Sequence, residues 1–322
     1  MSTHLVEVIQ IQEIKKHPNA DRLEIIPVGN WQCVVQSGIW NVGDRAVYVQ
    51  PDYMVPTSIP EFSFLSEKEI YRLKAVRLRG EVSYGVLVPV PEIVKDAPVG
   101  SNVMEALGIQ RYVPEIKMQN GENMSLPQEE WPDLFSPKYD LESLNNFPDV
   151  IQPDEMVYVT EKIHGANAKY VFHDGQMYCG SRNNWVRNDG KNIYSRAITP
   201  ELIFFCKENP NTIIFGEVFG PVQSLRYGRT EPEFAAFSIL NGGSFVPDPI
   251  WEFQRYGIQH VPALVQRKMK DVDLKIAETD SRISKVPQMM EGIVITSLSG
   301  RTDPNIGYVQ LKHISDRYWL KK

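Results

Sequence analysis

Lys162 closes an apolar strand and is followed three positions later by a turn glycine, in Thr160-Glu161-Lys162-Ile163-His164-Gly165-Ala166-Asn167. A lysine placed this way points into the mouth of a cleft. To act as a nucleophile its amine must lose a proton, although its free pKa is about 10.4. Nearby cations, a bound metal and desolvation lower that value. Lys-x-x-Gly alone is equally well an exposed strand lysine, but three further segments weigh against that reading. Glu217 follows Phe215-Gly216 on an apolar strand, where Gly216 would let a ligand approach the backbone. Glu291 precedes Gly292 at the start of a buried strand, and Lys312 ends a strand near the C-terminus. A nucleophilic lysine, two carboxylates and a second lysine are the set that adenylyl transfer needs. One carboxylate can hold a ribose hydroxyl and the other Mg²⁺, directly or through water. The second lysine can neutralise the α-phosphate as pyrophosphate leaves.

The elements that must position these residues are mostly short strands. Residues 5–14, Leu23–Val28, Trp31–Gln36 and 45–50 read as strands, with Gly29-Asn30 as a hairpin signal, and 74–79 with 85–90 make a further pair around Gly80. Five or so strands in about a hundred residues suit a small OB-type barrel, with a small sandwich as the competing architecture. Six prolines (114, 127, 132, 137, 148 and 153) then fall in one acidic stretch, so 114–153 reads as a linker or surface wrap. Beyond it, strands are expected at 156–160, 168–172, 212–219, 234–240, 292–296 and 307–311. Helices are expected at 199–208, capped by Thr199 with Pro200 at its first position, and around 268–284. The class is α+β: an N-terminal OB-like β-barrel over 1–113, then an antiparallel-sheet domain over 154–322.

Composition is consistent with that organisation and excludes several alternatives. Hydrophobic residues are 42% of the 322, enough for ordinary cores. No stretch approaches the roughly 20 apolar residues of a membrane helix, and the start has no signal-peptide pattern. Cys33, Cys179 and Cys206 are scattered, so a disulfide framework and a zinc site both fit poorly and a cytoplasmic location is expected. A zinc site on His164 and His173 lacks a suitably spaced third ligand. The net charge of −6 is unevenly spread: 11 basic and 14 acidic residues in 1–115, 2 and 9 in 116–160, and 21 and 17 in 161–322. The mildly basic C-terminal half suits a grip on a short stretch of polyanion around one phosphate, not a long basic groove.

The order of the four segments resembles the covalent nucleotidyltransferase superfamily of RNA ligases, DNA ligases and mRNA capping enzymes over about residues 155–320. Those proteins carry Lys-x-Asp-Gly, a Glu after glycine, Glu-Gly and a lysine-bearing strand in that order. Glu161-Lys162-Ile163-His164-Gly165-Ala166-Asn167 is most similar to the RNA ligase 2-like branch, where histidine can replace the aspartate. The resemblance implies an ATP-dependent RNA ligase with Mg or Mn, acting as a monomer on RNA ends or nicked duplexes in RNA repair, without a membrane. It implies Lys162 as the adenylylated nucleophile, Glu161 at the adenine edge, Glu217 on the ribose and Phe237 stacked on adenine. It further implies Glu291 for metal and catalysis, and Arg182 for phosphate or the RNA 3′-OH end. Asn167 would serve strand joining, His164 site organisation and Lys312 the α-phosphate.

Two positions depart from that pattern. The last motif is usually Lys-x-Lys, where this chain has Gln310-Leu311-Lys312-His313-Ile314, and an Asp often follows the stacking aromatic where this chain has Ser238. Only ten residues follow Lys312, too few for the C-terminal OB domain of DNA ligases and capping enzymes, so those rival activities are disfavoured. The segment from Lys15 to Leu23, with His17-Pro18-Asn19-Ala20-Asp21, also resembles tRNA-binding OB modules. A non-catalytic OB-fold RNA-binding protein is the rival from another class, and the joint presence of Lys162, both glutamates and Lys312 weighs against it.

Overall fold

The hairpin of Leu23–Val28 and Trp31–Gln36 forms with Val28 opposite Trp31, as the alternation of its side chains requires. It belongs to a computed structural model that describes residues 6–66, 68–112, 136 and 138–321. These fall into two units, the first drawn from Met1–Pro114, Leu144–Pro148 and Asp316–Lys322, the second from Glu115–Ser143 and Asp149–Ser315.

The first unit is a set of short antiparallel sheets around an apolar interior. Arg45–Val49 lies between Glu7–Gln10 and Val86–Pro89, and Tyr53–Pro56 between Gln110–Arg111 and Ile70–Arg72. Val8, Val47, Val49, Val55, Phe62 and Val88 fill one core; Ile11, Ile26, Cys33 and Tyr48 fill a second. The expected pairing of 74–79 with 85–90 is not formed. Ala75–Leu78 turns tightly onto Glu81–Tyr84, which frees Val86–Pro89 to pair with Arg45–Val49. Two distant segments join this unit. Asn146 accepts from the Trp31 indole at 2.7 Å, and the helix Asp316–Lys321 brings Trp319 edge-on to Trp31.

The second unit has two antiparallel-rich sheets. A five-stranded sheet runs in the order Glu142–Ser143, Gln310–Ile314, Gly292–Ser297, Met156–Lys162, Ala263–Lys268. A six-stranded sheet runs in the order Trp185–Val186, Gln176–Ser181, Ala166–His173, Ile213–Phe219, Glu233–Asn241, Ser244–Phe245. One face of the six-stranded sheet carries Ala168, Tyr170, Ile214 and Val218 under the helix Pro200–Glu208, which presents Leu202, Phe205 and Cys206. Thr199 caps that helix by accepting from the Leu202 amide, an interaction of about 1 kcal/mol. The other face carries Val171, Phe215, Trp185 and Leu240.

The helix expected around 268–284 does not form. Ala263–Lys268 is an edge strand, and only the short 3₁₀ turns Met269–Asp271 and Leu274–Glu278 follow. Within the expected linker 114–153, residues 114–135 and 137 lie outside the described residues. Its later part is not a solvated connector: Tyr139 is buried and Glu142–Ser143 pairs in parallel with Leu311–Lys312. Among the described residues, no helix is long and apolar enough to cross a membrane.

The start of the Lys162 strand is pinned by Glu155. Its carboxylate accepts from Arg301 Nε at 2.9 Å and Nη2 at 2.7 Å and also takes the Ser297 hydroxyl. The Arg301 bonds outweigh partial burial and hold the carboxyl at about 2, below its ordinary 4.5. A carboxyl depressed by folding contributes stability above its unfolded pKa and loses it as pH falls toward the folded one. Thermal unfolding is therefore expected to soften from about pH 4.5 downward. Arg301→Ala is expected to cost about 2 kcal/mol at neutral pH and to flatten that acid slope. An unchanged slope in the variant would remove Glu155 as its source.

Candidate active site

The register of the five-stranded sheet decides which side chains share its inner face. Thr160 stands opposite Val294, which stands opposite Lys312; one pair further on, Lys162 stands opposite Gly292, and Gly292 opposite Ile314. Directly paired residues project to the same side, so Lys162 and Lys312 lie on one face, on strands separated by Gly292–Ser297 and one pair out of register. Glu161, between Thr160 and Lys162, must project to the other face. There its buried carboxylate takes the Ser281 hydroxyl and accepts from the Arg282 amide at 2.8 Å. In the free protein this carboxylate is engaged within the chain. Strand alternation turns it away from Lys162, and its oxygens hold the 281–282 segment.

Lys162 Nζ lies 2.9 Å from Glu291 Oε1, and Glu291 Oε2 lies 3.5 Å from His164 Nδ1. The Lys162 and Glu291 side chains are only 22% and 10% exposed. Burial alone would lower the lysine. The charges of Glu291 and Glu217, with the direct bond to Glu291, outweigh it and hold the amine above its ordinary 10.5, while Arg182 opposes them. The sequence-based expectation of a lowered lysine is therefore reversed in the free protein, because two carboxylates face the amine. Conversely, burial would raise Glu291, yet Lys162 and His164 hold it far below the carboxylate range. Glu217 is pushed up to about 8 by burial, with Lys162 pulling it down and Glu291 raising it.

Glu217 faces Asn167 across the pair of strands Ile213–Phe219 and Ala166–His173, and the Gly165 amide donates to its carboxylate. Gly165 has to lack a side chain: a Cβ would stand 2.2 Å from the Val218 carbonyl and 2.9 Å from Glu217 Cγ. Gly216 serves a different end from the one expected. A Cβ there would stand 2.2 Å from the Phe234 ring, so the gap admits a core aromatic and not a ligand. Asn167 Oδ1 is buried without a hydrogen-bond partner, poised for a donor. His164 is fixed at three points: its amide donates to the Tyr227 hydroxyl at 2.6 Å, Nε2 lies 3.2 Å from Ser224 Oγ, and Nδ1 faces Glu291. Arg182, just past the strand Gln176–Ser181, pairs with Asp140 at 3.5 Å while its charge reaches Lys162 and Glu217. Phe237 sits at a bulge, since Phe215 pairs with Ser238 and Gly216 with Ala236; its ring lies 4.7 Å from that of Tyr139.

Lys162, His164, Glu217 and Glu291 are thus brought together. Arg182 acts on them by charge, Asn167 stands beside Glu217, and Lys312 shares the inner face. Tyr227, Tyr139 and Asp140 were missed from sequence. Tyr227 touches His164 from 63 residues away, and Tyr139 with Asp140 sits in the proline-rich stretch read as a linker. Nothing local marks any of the three.

A divalent ion fits this donor set only with help from a substrate. Glu291 Oε2 is buried and faces only His164 Nδ1 at a long 3.5 Å, which leaves it a lone pair to give. Among the described residues no three His, Cys, Asp or Glu side chains gather as an all-protein metal cage. Mg²⁺ and Mn²⁺ accept one or two carboxylates plus phosphates and water, so one orphaned carboxylate oxygen beside a phosphate site suffices.

Comparison with known proteins agrees with this geometry. Residues 155–321 match the RNA ligase family model, and residues 5–90 match an OB-fold domain. The whole chain is similar in structure to RNA ligase from Naegleria gruberi. One apo variant has 24% identity and a TM-score of 0.83, covering 99% of this chain and 98% of that one. A variant with ATP and Mn has 24% identity and a TM-score of 0.82, covering 99% of both chains. A stretch of 126 residues, 35% of this chain, is 28% identical to the phenylalanine–tRNA ligase beta subunit of Neisseria meningitidis, where it spans 15% of that protein.

Proposed function

The chain belongs to the RNA ligase family, and from that premise we propose that it is an ATP-dependent enzyme joining an RNA 3′-OH to a 5′-phosphate through AMP carried on Lys162. The observation that carries this is the Lys162 amine, 2.9 Å from Glu291, with Glu217 and Arg182 acting on the same charge.

Each of the three steps is an in-line displacement at phosphorus, so positioning and charge neutralisation supply most of the rate. In the first, the Lys162 ammonium gives up a proton to water and its Nζ lone pair attacks the α-phosphorus; the N–P bond forms as the α–β bridging P–O bond breaks and pyrophosphate departs. In the second, an oxygen of the RNA 5′-phosphate attacks the same phosphorus and the amine leaves. In the third, the RNA 3′-oxygen attacks the activated 5′-phosphorus and AMP leaves. Lys312 and Arg182 balance charge on the phosphates, Glu217 holds the ribose, Phe237 stacks on the base and Asn167 serves the joining step. His164 orients Glu291. Glu291 would hold Mg²⁺ or Mn²⁺, which when bound supplies positive charge to the phosphates and weakens the carboxylate's hold on the Lys162 ammonium. Residues 1–113 form the nucleic-acid-binding module and 154–322 the ligase domain, with 114–153 between them. The chain acts as a cytoplasmic monomer at nicks during RNA repair.

The test is sealing of a nicked duplex with an RNA 3′-OH and a 5′-phosphate. ATP-dependent product with RNA at the 3′ side is the expected result, and DNA-only sealing or self-labelling by GTP would move the chain to the DNA ligase or capping branch. Failure to release pyrophosphate from ATP would restore the non-catalytic alternative.

A further inference from the structure

Gln310 and Ser238, which belong to the two segments that depart from the family pattern, lie beside one phenol. The hydroxyl of Tyr139 donates to Gln310 Oε1, and the Ser238 hydroxyl lies beside it. The bulge at Phe237 makes this possible, because it turns Ser238 onto the face of its pairing partner Phe215. Gln310 is fixed at its other end too, donating to Thr296 Oγ1 at 3.1 Å. With Gln310 in register with the first lysine of the motif, a lysine and an aspartate would carry opposite charges where this chain has a neutral amide bonded to a phenol from outside the motifs, and a hydroxyl beside that phenol. The Tyr139 ring is buried against Phe237, Phe215 and Phe245 at centroid distances of 4.7, 5.3 and 5.7 Å. The phenol stays protonated, because burial pushes it far above its ordinary 10.0.

The consequence follows from what these partners carry. Phe237 is the base-stacking ring of the proposed function. Gln310 lies two residues before Lys312 on one strand, and therefore on the same face. The residues after Tyr139 reach the site again: Asp140 pairs with Arg182, and Glu142–Ser143 forms a parallel ladder with Leu311–Lys312. We propose that Tyr139 is a positioning residue of the ATP step, its ring setting Phe237 and its hydroxyl, through Gln310, setting the strand of Lys312. This rests on the adenylyl-transfer reading above.

Self-labelling by ATP is measured on the full chain as a function of ATP concentration. Tyr139→Phe removes one buried neutral hydrogen bond and keeps the ring. It is expected to raise the KM for ATP about 3- to 10-fold with kcat nearly unchanged. Tyr139→Phe in a Gln310→Leu background is expected to add nothing, since the two changes break the same bond. An unchanged KM, or effects of the two substitutions that simply multiply, would overturn the proposal. So would a lower melting temperature with wild-type KM, which is what a purely structural tyrosine would give. Restoring charge supplies a second measurement. Gln310→Lys is expected to impair labelling and Gln310→Lys with Ser238→Asp to recover it; a double variant no better than the single counts against the shared site. Absence of labelling in the wild-type protein would instead sink the adenylyl-transfer reading itself.

Discussion

Lys162→Ala protein incubated with α-labelled ATP and Mn²⁺ is expected to acquire no label, a loss of at least about 10³-fold relative to wild type. The size follows from the geometry. Lys162 is the amine held 2.9 Å from Glu291 at the end of its strand. Lys312, though on the same face, stands opposite Val294, one step back along the sheet, with its backbone fixed by the ladder. Lys169, on the strand that follows in sequence, is buried against the Trp185 ring at 4.4 Å and donates to Ser136. Neither can take over without rebuilding a strand. Lys162→Met keeps the aliphatic stem and is expected to lose the label equally, which ties the effect to the nitrogen. Label retained on either variant would place the nucleophile elsewhere and remove the mechanism.

Glu291→Gln is expected to cut the rate of self-labelling by roughly 10²- to 10³-fold, the scale for removing one preorganised charged group from a reacting centre. Its carboxylate does two things that an amide cannot. One oxygen holds the Lys162 ammonium, and the other, buried and only 3.5 Å from His164 Nδ1, carries the lone pair available to a cation. The fold is expected to survive, since the Lys162 side chain keeps 22% exposure and its ammonium can turn to water. Melting temperature and the fraction of protein binding ATP separate this from unfolding. If Glu291 acted only to keep the lysine protonated, the substitution would free the amine and speed labelling. Faster labelling of Glu291→Gln would therefore overturn the catalytic role.

Much of this arrangement could be read in the sequence because its chemical groups lie at the ends of continuous apolar strands. Lys162, Glu217 and Glu291 each interrupt a run of β-branched or aromatic residues, and charge at such a place is costly unless it faces a cleft. The helix at 200–208 was legible for a similar reason, a threonine cap followed by proline. What failed was whatever depends on a partner far along the chain. The 268–284 segment has helical composition, but Glu161 captures Ser281 and Arg282 from 120 residues away and holds them in a non-helical bend. Glu161, which the resemblance puts at the adenine edge, stands by alternation on the face opposite Lys162. The pairing of 86–89 was decided by competition between two possible neighbours, which no local pattern records. Tyr139 carries no local signal at all, and its role appears only when Gln310 and Phe237 arrive beside it.

The contact between Tyr139 and Gln310 spans 171 positions, and this bears on the order in which the protein is made. The ladder that seats the 142–143 segment needs Leu311 and Lys312, which are synthesised long after it. Contacts so distant in sequence close late, after the loop-closure entropy has been overcome. A nascent chain that has already made Lys162, Glu217 and Glu291 still lacks the final strand and the wall it anchors. Nucleotide capture during synthesis is therefore expected to wait for the Gln310–Ile314 strand and the wall that it anchors.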